Sequence, residues 1–201
     1  MDNVIEQFGQ RWQGGGGKFI YVNNAWALSR ELEGIIAAYT DEQQSSRQEL
    51  MPIAVSGYLP GWTEDDMKSL LPSAQVFFWR QGDDPRIFRE RCAQAVIGMS
   101  SCLWASADAG SIAVSATEDT SLLPTLLPPV HIVLLRASQI VPTFQEAMAQ
   151  MYQQAQTEKH WPSLLKIIAG PSMTGDIEGQ LIMGVHGPQD VYAVVVDEEE
   201  P

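Results

Sequence analysis

The residues whose types and spacing suit chemistry lie between Gly170 and Val196, in GPSMTGDIEGQLIMGVHGPQDVYAVVV. His186, inside a His-Gly-Pro turn, is a candidate general acid or base, because imidazole titrates near neutrality. Asp176 is the carboxylate candidate for the same work. Ser172 and Thr174 stand just ahead of a predicted helix, where hydroxyls and free helix N–H groups can hold a carboxylate or phosphate. Gly170 and Gly187 let the backbone approach such a ligand closely. A competing reading makes Thr174 a helix cap, with Asp176 and Glu178 serving the dipole of the first turn and repelling an anion there. His186 then becomes a turn residue bonded to the preceding loop. A second cluster, Asp108, Gly110 and Ser111 within ASADAGS, offers polar contacts among small residues. The alternative for it is a tight turn.

Other motifs are weaker. The run Gly14-Gly15-Gly16-Gly17-Lys18 precedes a strand, whereas a phosphate loop opens a helix, and no Ser or Thr follows the lysine to hold magnesium. No G-x-G-x-x-G follows the first strand, and neither a G-x-S-x-G elbow nor an H-E-x-x-H zinc helix occurs. The histidines at 131, 160 and 186 lack metal-ligand spacing, so no metal site is expected. His131 follows Pro128-Pro129 and reads either as a core histidine bonded to a carbonyl or as a polar group beside a cleft. His160 reads as the end of a helix, without a role. Cys92 and Cys102 form no CxxC pair and read as two reduced thiols.

The elements that must position these residues alternate. Residues 1–13 carry a short amphipathic helix with Val4, Ile5, Phe8 and Trp12 on one face. A strand at Lys18–Val22 leads to a helix capped by Asn24, running to about Tyr39 with Trp26, Leu32, Ile35 and Ile36 as its apolar positions. Residues 40–49 are polar. A strand follows at Pro52–Ser56, then a short helix after Thr63, a strand at Ala74–Trp79 and a helix from Asp84-Pro85 to near Ala95. The Gly/Ser/Ala-rich stretch 96–115 carries short strands at its two ends. Val130–Leu135 is nearly continuous in apolar residues, as for a parallel strand buried on both faces. Thr143 and Glu146 make a capping box for a helix with Phe144, Ala147, Met148, Met151, Tyr152 and Ala155 on one stripe. A strand at Leu164–Ala169, a short helix at Gly175–Met183 ended by Gly184, and a strand at Val191–Val196 complete the series. The tail 197–201 is solvated. This alternation predicts an α/β fold with a mainly parallel sheet and helices on both faces, in one domain.

Composition limits the function classes. The chain has 201 residues, 45% apolar and 18% charged, enough for one substantial core. A net charge of −13 argues against nucleic acid and against anionic membrane surfaces. No apolar run approaches the ~20 residues of a membrane span. The N-terminus, MDNVIEQFGQRW, does not read as a signal peptide, so a cytoplasmic location is expected.

The C-terminal residues resemble the LUD-domain family, lactate utilization protein C (LutC/YkgG), and its pattern G-P-S-x-T-x-D-I-E…L-x-x-G-x-H-G-P. Here that pattern is Gly170-Pro171-Ser172-Met173-Thr174-Gly175-Asp176-Ile177-Glu178, then Leu181, Gly184, His186, Gly187 and Pro188. Ala107-Asp108-Ala109-Gly110-Ser111-Ile112 is similar to the family's A-[DE]-T-G-T-L, with Ala109 replacing the usual Thr. Leu127–Ile132 matches L-P-P-x-H-I, and Ile140–Thr143 matches I-V-P-T. The likeness spans roughly residues 95–196. It implies a three-layer fold similar to the NagB/RpiA/CoA-transferase group. It also implies cytoplasmic oxidation of lactate to pyruvate alongside iron–sulfur partner subunits. This chain has no nicotinamide or flavin fingerprint and too few clustered cysteines for an iron–sulfur cluster, so no cofactor is expected in it. A subunit that binds a small carboxylate or phosphate fits best, and homo-oligomerisation stays open. The alternative is a stand-alone phosphosugar- or acyl-CoA-binding protein of the same fold group.

Overall fold

The computed structural model describes residues 2–40, 50–159, 161–174, 182–184 and 186–197. Its frame is a six-stranded sheet built from β1 (Lys18–Val22), β2 (Met51–Ser56), β3 (Ala74–Phe78), β4 (Ile97–Ser101), β7 (Val130–Arg136) and β12 (Asp190–Val196). The order across the sheet is β1-β12-β7-β4-β2-β3, and every pairing is parallel. β7 and β12 lie centrally and are buried almost throughout, which explains their continuous apolar sequences.

Local chemistry sets the helices. In α2 (Ala25–Tyr39), Asn24 Oδ1 accepts from the Ala27 N–H at 2.8 Å. In α3 (Glu64–Leu70), Thr63 Oγ1 accepts from the Asp66 N–H, while Asp66 Oδ2 accepts from the Thr63 N–H at 2.7 Å, a reciprocal cap. α4 (Pro85–Gln94) starts from an Asp84 cap and a first-turn proline. Thr143 Oγ1 accepts from the Glu146 N–H at the start of α5 (Phe144–Glu158).

One face of the large sheet packs on α2 and α3: Leu28, Leu32, Ile35 and Met67 meet Ile53, Ile97, Ile132 and Val194. The opposite face is covered by α1 (Asn3–Gly14), by α4 and by a second, four-stranded sheet. That sheet contains β5 (Trp104–Ser106), β6 (Ser111–Ala116), β8 (Ile140–Val141) and β9 (Leu164–Ile168), in the order β8-β5-β6-β9. Its inner residues Ile112, Val114 and Ile168 join Phe8, Trp12, Val133 and Val195 in the core between the sheets. Its outer face carries α5 through Trp104, Ala113, Val141 and Ala147. The chain is thus a three-layer α/β fold in which a mixed sheet, carrying α5 on its far side, joins the helices that flank one face of the large sheet.

Three expectations change. Residues 173–174 and 182–183 form strands β10 (Met173–Thr174) and β11 (Ile182–Met183), paired antiparallel, so the predicted helix does not reach Ile182 and Met183. Thr174 is a strand residue, and Gly184, at φ 77°, follows a strand and not a helix. Residues 182–183 pair with 173–174 as a short antiparallel ladder, so they are extended rather than helical. Asp176, Glu178 and the rest of 175–181 lie outside the described residues, as does His160. Finally, Trp26 is 71% exposed, and Leu28 takes the buried position expected for it.

Candidate functional site

The signature segments converge through their backbones. The Ser172 N–H donates to Pro188 O at 3.0 Å, and the Gly184 N–H donates to Ser172 O at 2.8 Å. The Gln189 N–H donates to Pro129 O at 2.8 Å, tying the second Gly-Pro turn to the Pro-Pro step ahead of β7. Gly170 holds φ 132°, and a Cβ there would stand 2.4 Å from Gly15 O. Only glycine fits this approach. The Gly14–Gly17 run therefore seats the Gly170 turn.

These turns wall a cleft of about 230 Å³ at the amino ends of β7 and β12, between the two sheets. Gly170, Ser172, His186 and Gly187 line it, together with Thr125, His131 and Lys166. His186 is exposed at its rim and Ser172 is half-buried.

His131 sits on the β7 face that turns toward the second sheet and is fully buried. Its Nε2 is 2.9 Å from Ser100 Oγ, while its Nδ1 has no hydrogen-bond partner among the described residues. Burial, with the nearby Lys166 cation adding to it, holds its pKa down to about 3, so the ring is neutral at physiological pH.

Lys166 enters from the opposite layer. Side chains alternate along β9, so Lys166 shares the inward face of Ile168 and stands opposite Val114 in the ladder to β6. Its Nζ donates to Thr125 O at 2.7 Å and to Thr125 Oγ1 at 3.1 Å. Burial pushes its pKa down to about 8. Thr125 is fixed by a 3₁₀ turn, Leu123–Thr125, lying on β4. A Cβ at Gly98 would stand 1.9 Å from Pro124 O, so the missing side chain at that position lets the turn settle there.

The second predicted cluster lies elsewhere. Asp108 Oδ1 accepts from the Phe144 N–H at 2.9 Å and so caps the start of α5. Ser111 is buried, its Oγ 2.8 Å from Ser106 Oγ. Gly110, at φ 56°, turns tightly against Arg11 and Trp12 of α1. None of the three lines the cleft. Among the described residues, no three His, Cys, Asp or Glu side chains group to hold a metal ion. Cys92 and Cys102 are buried free thiols, and burial pushes Cys92 up to about 12 and Cys102 up as well.

The LUD domain model matches residues 5–196. The chain belongs to the LUD domain family. It is 28% identical over 139 residues to lactate utilization protein C of Halalkalibacterium halodurans, a match covering 69% of this chain and 60% of that protein. It is 25% identical over 168 residues to lactate utilization protein C of Macrococcus caseolyticus, covering 82% and 72%. It is 32% identical over 105 residues to the protein YkgG of Escherichia coli, covering 52% and 46%. The matches thus span less than two thirds of the length of the first relative and less than half of the third. Its fold is similar to that of a DUF162 family protein from Deinococcus radiodurans, with a TM-score of 0.59, 20% identity and 96% coverage of both chains.

Of the residues the sequence singles out in this LUD domain, Gly170, Ser172, His186 and Gly187 line the cleft, and Lys166, which it does not single out, lines it with them. The available signal was a single cation in LLKII, on the same strand face as Ile168. Among the described residues, no helix is long and apolar enough to cross a membrane.

Proposed function

We propose that this LUD domain serves lactate utilization by holding a small carboxylate in the cleft, as a subunit working beside iron–sulfur partners in the cytoplasm. The observation that carries the reading is the charge of the cleft. The chain has 25 acidic residues and a net charge of −13, yet the described lining contains no Asp or Glu, one lysine and two of the chain's three histidines. A half-buried cation without an acidic partner is costly, and an anionic ligand offsets that cost. The Lys166 ammonium would take the carboxylate, the unpaired His131 Nδ1 would meet the ligand's polar oxygen, and His186 would close the rim. Oxidising lactate to pyruvate releases two electrons and two protons, and we assign the electrons to the partners' clusters. A cleft of about 230 Å³ favours a ligand the size of lactate over an acyl-CoA.

The test is growth on lactate of a strain lacking the gene, with restoration by wild type and by His186→Ala. His186 is exposed at the rim, so its variant should fold and restore growth poorly. Normal growth of the deletion strain on both lactate enantiomers would refute the role. Full restoration by His186→Ala would remove that residue from the site.

A further inference from the structure

We propose that Lys166 is a nucleophilic amine that forms an imine with a small 2-oxo acid held in the cleft. The inference rests on the carboxylate reading above and adds a covalent step to it.

Its first ground is register. Lys166 points into the space between two sheets, where its strand neighbour Ile168 and its ladder partner Val114 are core residues. An aliphatic side chain would satisfy packing there, so the lysine stands against the local preference, as functional positions do.

The second ground is the arrangement around Nζ. Thr125 O can only accept. Thr125 Oγ1 gives its own hydrogen to Leu122 O at 2.8 Å and so also accepts from Nζ. Two of the three tetrahedral positions of Nζ are thereby fixed as N–H donors, and no described residue claims the third. In the ammonium this position is an N–H, and in the amine it is the lone pair.

The third ground is contrast within the chain, which has four lysines. Lys18 is 2.8 Å from Asp190 Oδ1, and Lys68 is 2.7 Å from Glu64 Oε1. Lys159 is exposed at the end of α5. Lys166 is drawn below the ordinary range, to about 8, which leaves about 300-fold more free amine at neutral pH than an ordinary lysine holds.

The step balances without an oxidant. The Nζ lone pair attacks the carbonyl carbon of the 2-oxo acid, and the C=O π pair moves to oxygen, which takes a proton. Nitrogen releases a proton, the carbinolamine oxygen takes a second proton, and the C–O bond breaks as the nitrogen lone pair forms the C=N bond, so that water leaves. The protonated imine keeps the positive charge beside the ligand carboxylate. A 2-hydroxy acid has no ketone carbon at position 2 and stops at ionic binding, so the site separates the oxidised from the reduced ligand.

The experiment incubates the full chain with pyruvate and sodium borohydride, followed by intact mass and peptide mapping. In parallel, thermal unfolding is recorded with pyruvate and with lactate, and Lys166→Met is carried through both arms. The expected product is one adduct with the mass of pyruvate less one oxygen atom, on Lys166, with a yield that rises from pH 7 to pH 9. Lys166→Met should keep its cooperative unfolding and gain no adduct. If both acids raise the melting temperature but borohydride leaves Lys166 unlabelled, the imine is overturned and the carboxylate reading stands. Equal labelling of Lys18, Lys68 and Lys159 also overturns the imine. If neither acid stabilises the protein and nothing is labelled, both fall.

Discussion

Replacing His131 by Asn should remove a defined part of the protein's acid sensitivity. The native ring, buried between the sheets and facing Lys166, takes a proton only near pH 3, whereas in the unfolded chain it does so near 6.5. A base whose folded pKa is depressed binds fewer protons folded than unfolded between those values. Its linkage term therefore favours folding above pH 6.5 and is lost progressively as the pH falls toward 3. Between pH 7 and pH 5 the loss is about 2 kcal/mol for this one group. Carboxylates such as Glu64 and Asp190, held low by Arg80 and Lys68 and by Lys18 and Tyr39, add their own acid losses. The informative quantity is therefore the difference between wild type and His131→Asn. Urea unfolding at pH 7, 6 and 5 gives it, and the constant cost of the substitution cancels. The gap should move by about 2 kcal/mol in the variant's favour over that range. Parallel pH profiles would refute the reasoning, because they would mean that the native ring titrates like a solvated one.

Three further outcomes follow from the same geometry. Lys166→Met should lose stability relative to wild type by about 1 kcal/mol between pH 7 and pH 10, because the wild-type protein is relieved of its buried cation as the pH passes 8; that figure is discounted for partial solvent screening, and equal profiles in urea would refute it. Gly98→Ala should cost about 1–3 kcal/mol or more, since its Cβ meets the Pro124 carbonyl and displaces Thr125, and urea unfolding at pH 7 should register the loss together with weaker pyruvate binding. Asp108→Ala should cost about 1 kcal/mol by uncapping α5 while leaving carboxylate binding intact; lost binding at unchanged stability would restore Asp108 to the site.

Much of the fold is legible because its signals are local. Asn24, Thr63 and Thr143 are caps whose partners lie three residues away, and a cap works the same way in any fold. The nearly continuous apolar runs of β7 and β12 suit burial on both faces, as in a central parallel strand. The Gly-Pro signature marked the turns that wall the cleft, since proline and glycine fix turn geometry without tertiary help. Tertiary structure alone decided the rest. Nothing local tells β9 to join a second sheet or turns Lys166 inward toward His131, because a strand's partner and register depend on elements far away in sequence. Pairing of β10 with β11 likewise leaves Ile182 and Met183 extended, because a backbone ladder outweighs local spacing. The assignment of Asp108 and Ser111 to a cap and a buried hydroxyl pair likewise waited on where α5 and β5 came to rest. The sequence by itself determined the turns and the alternation of elements. The cleft's charge arises only when two layers bring basic groups together from positions 35 residues apart, at His131 and Lys166, a separation no local pattern encodes.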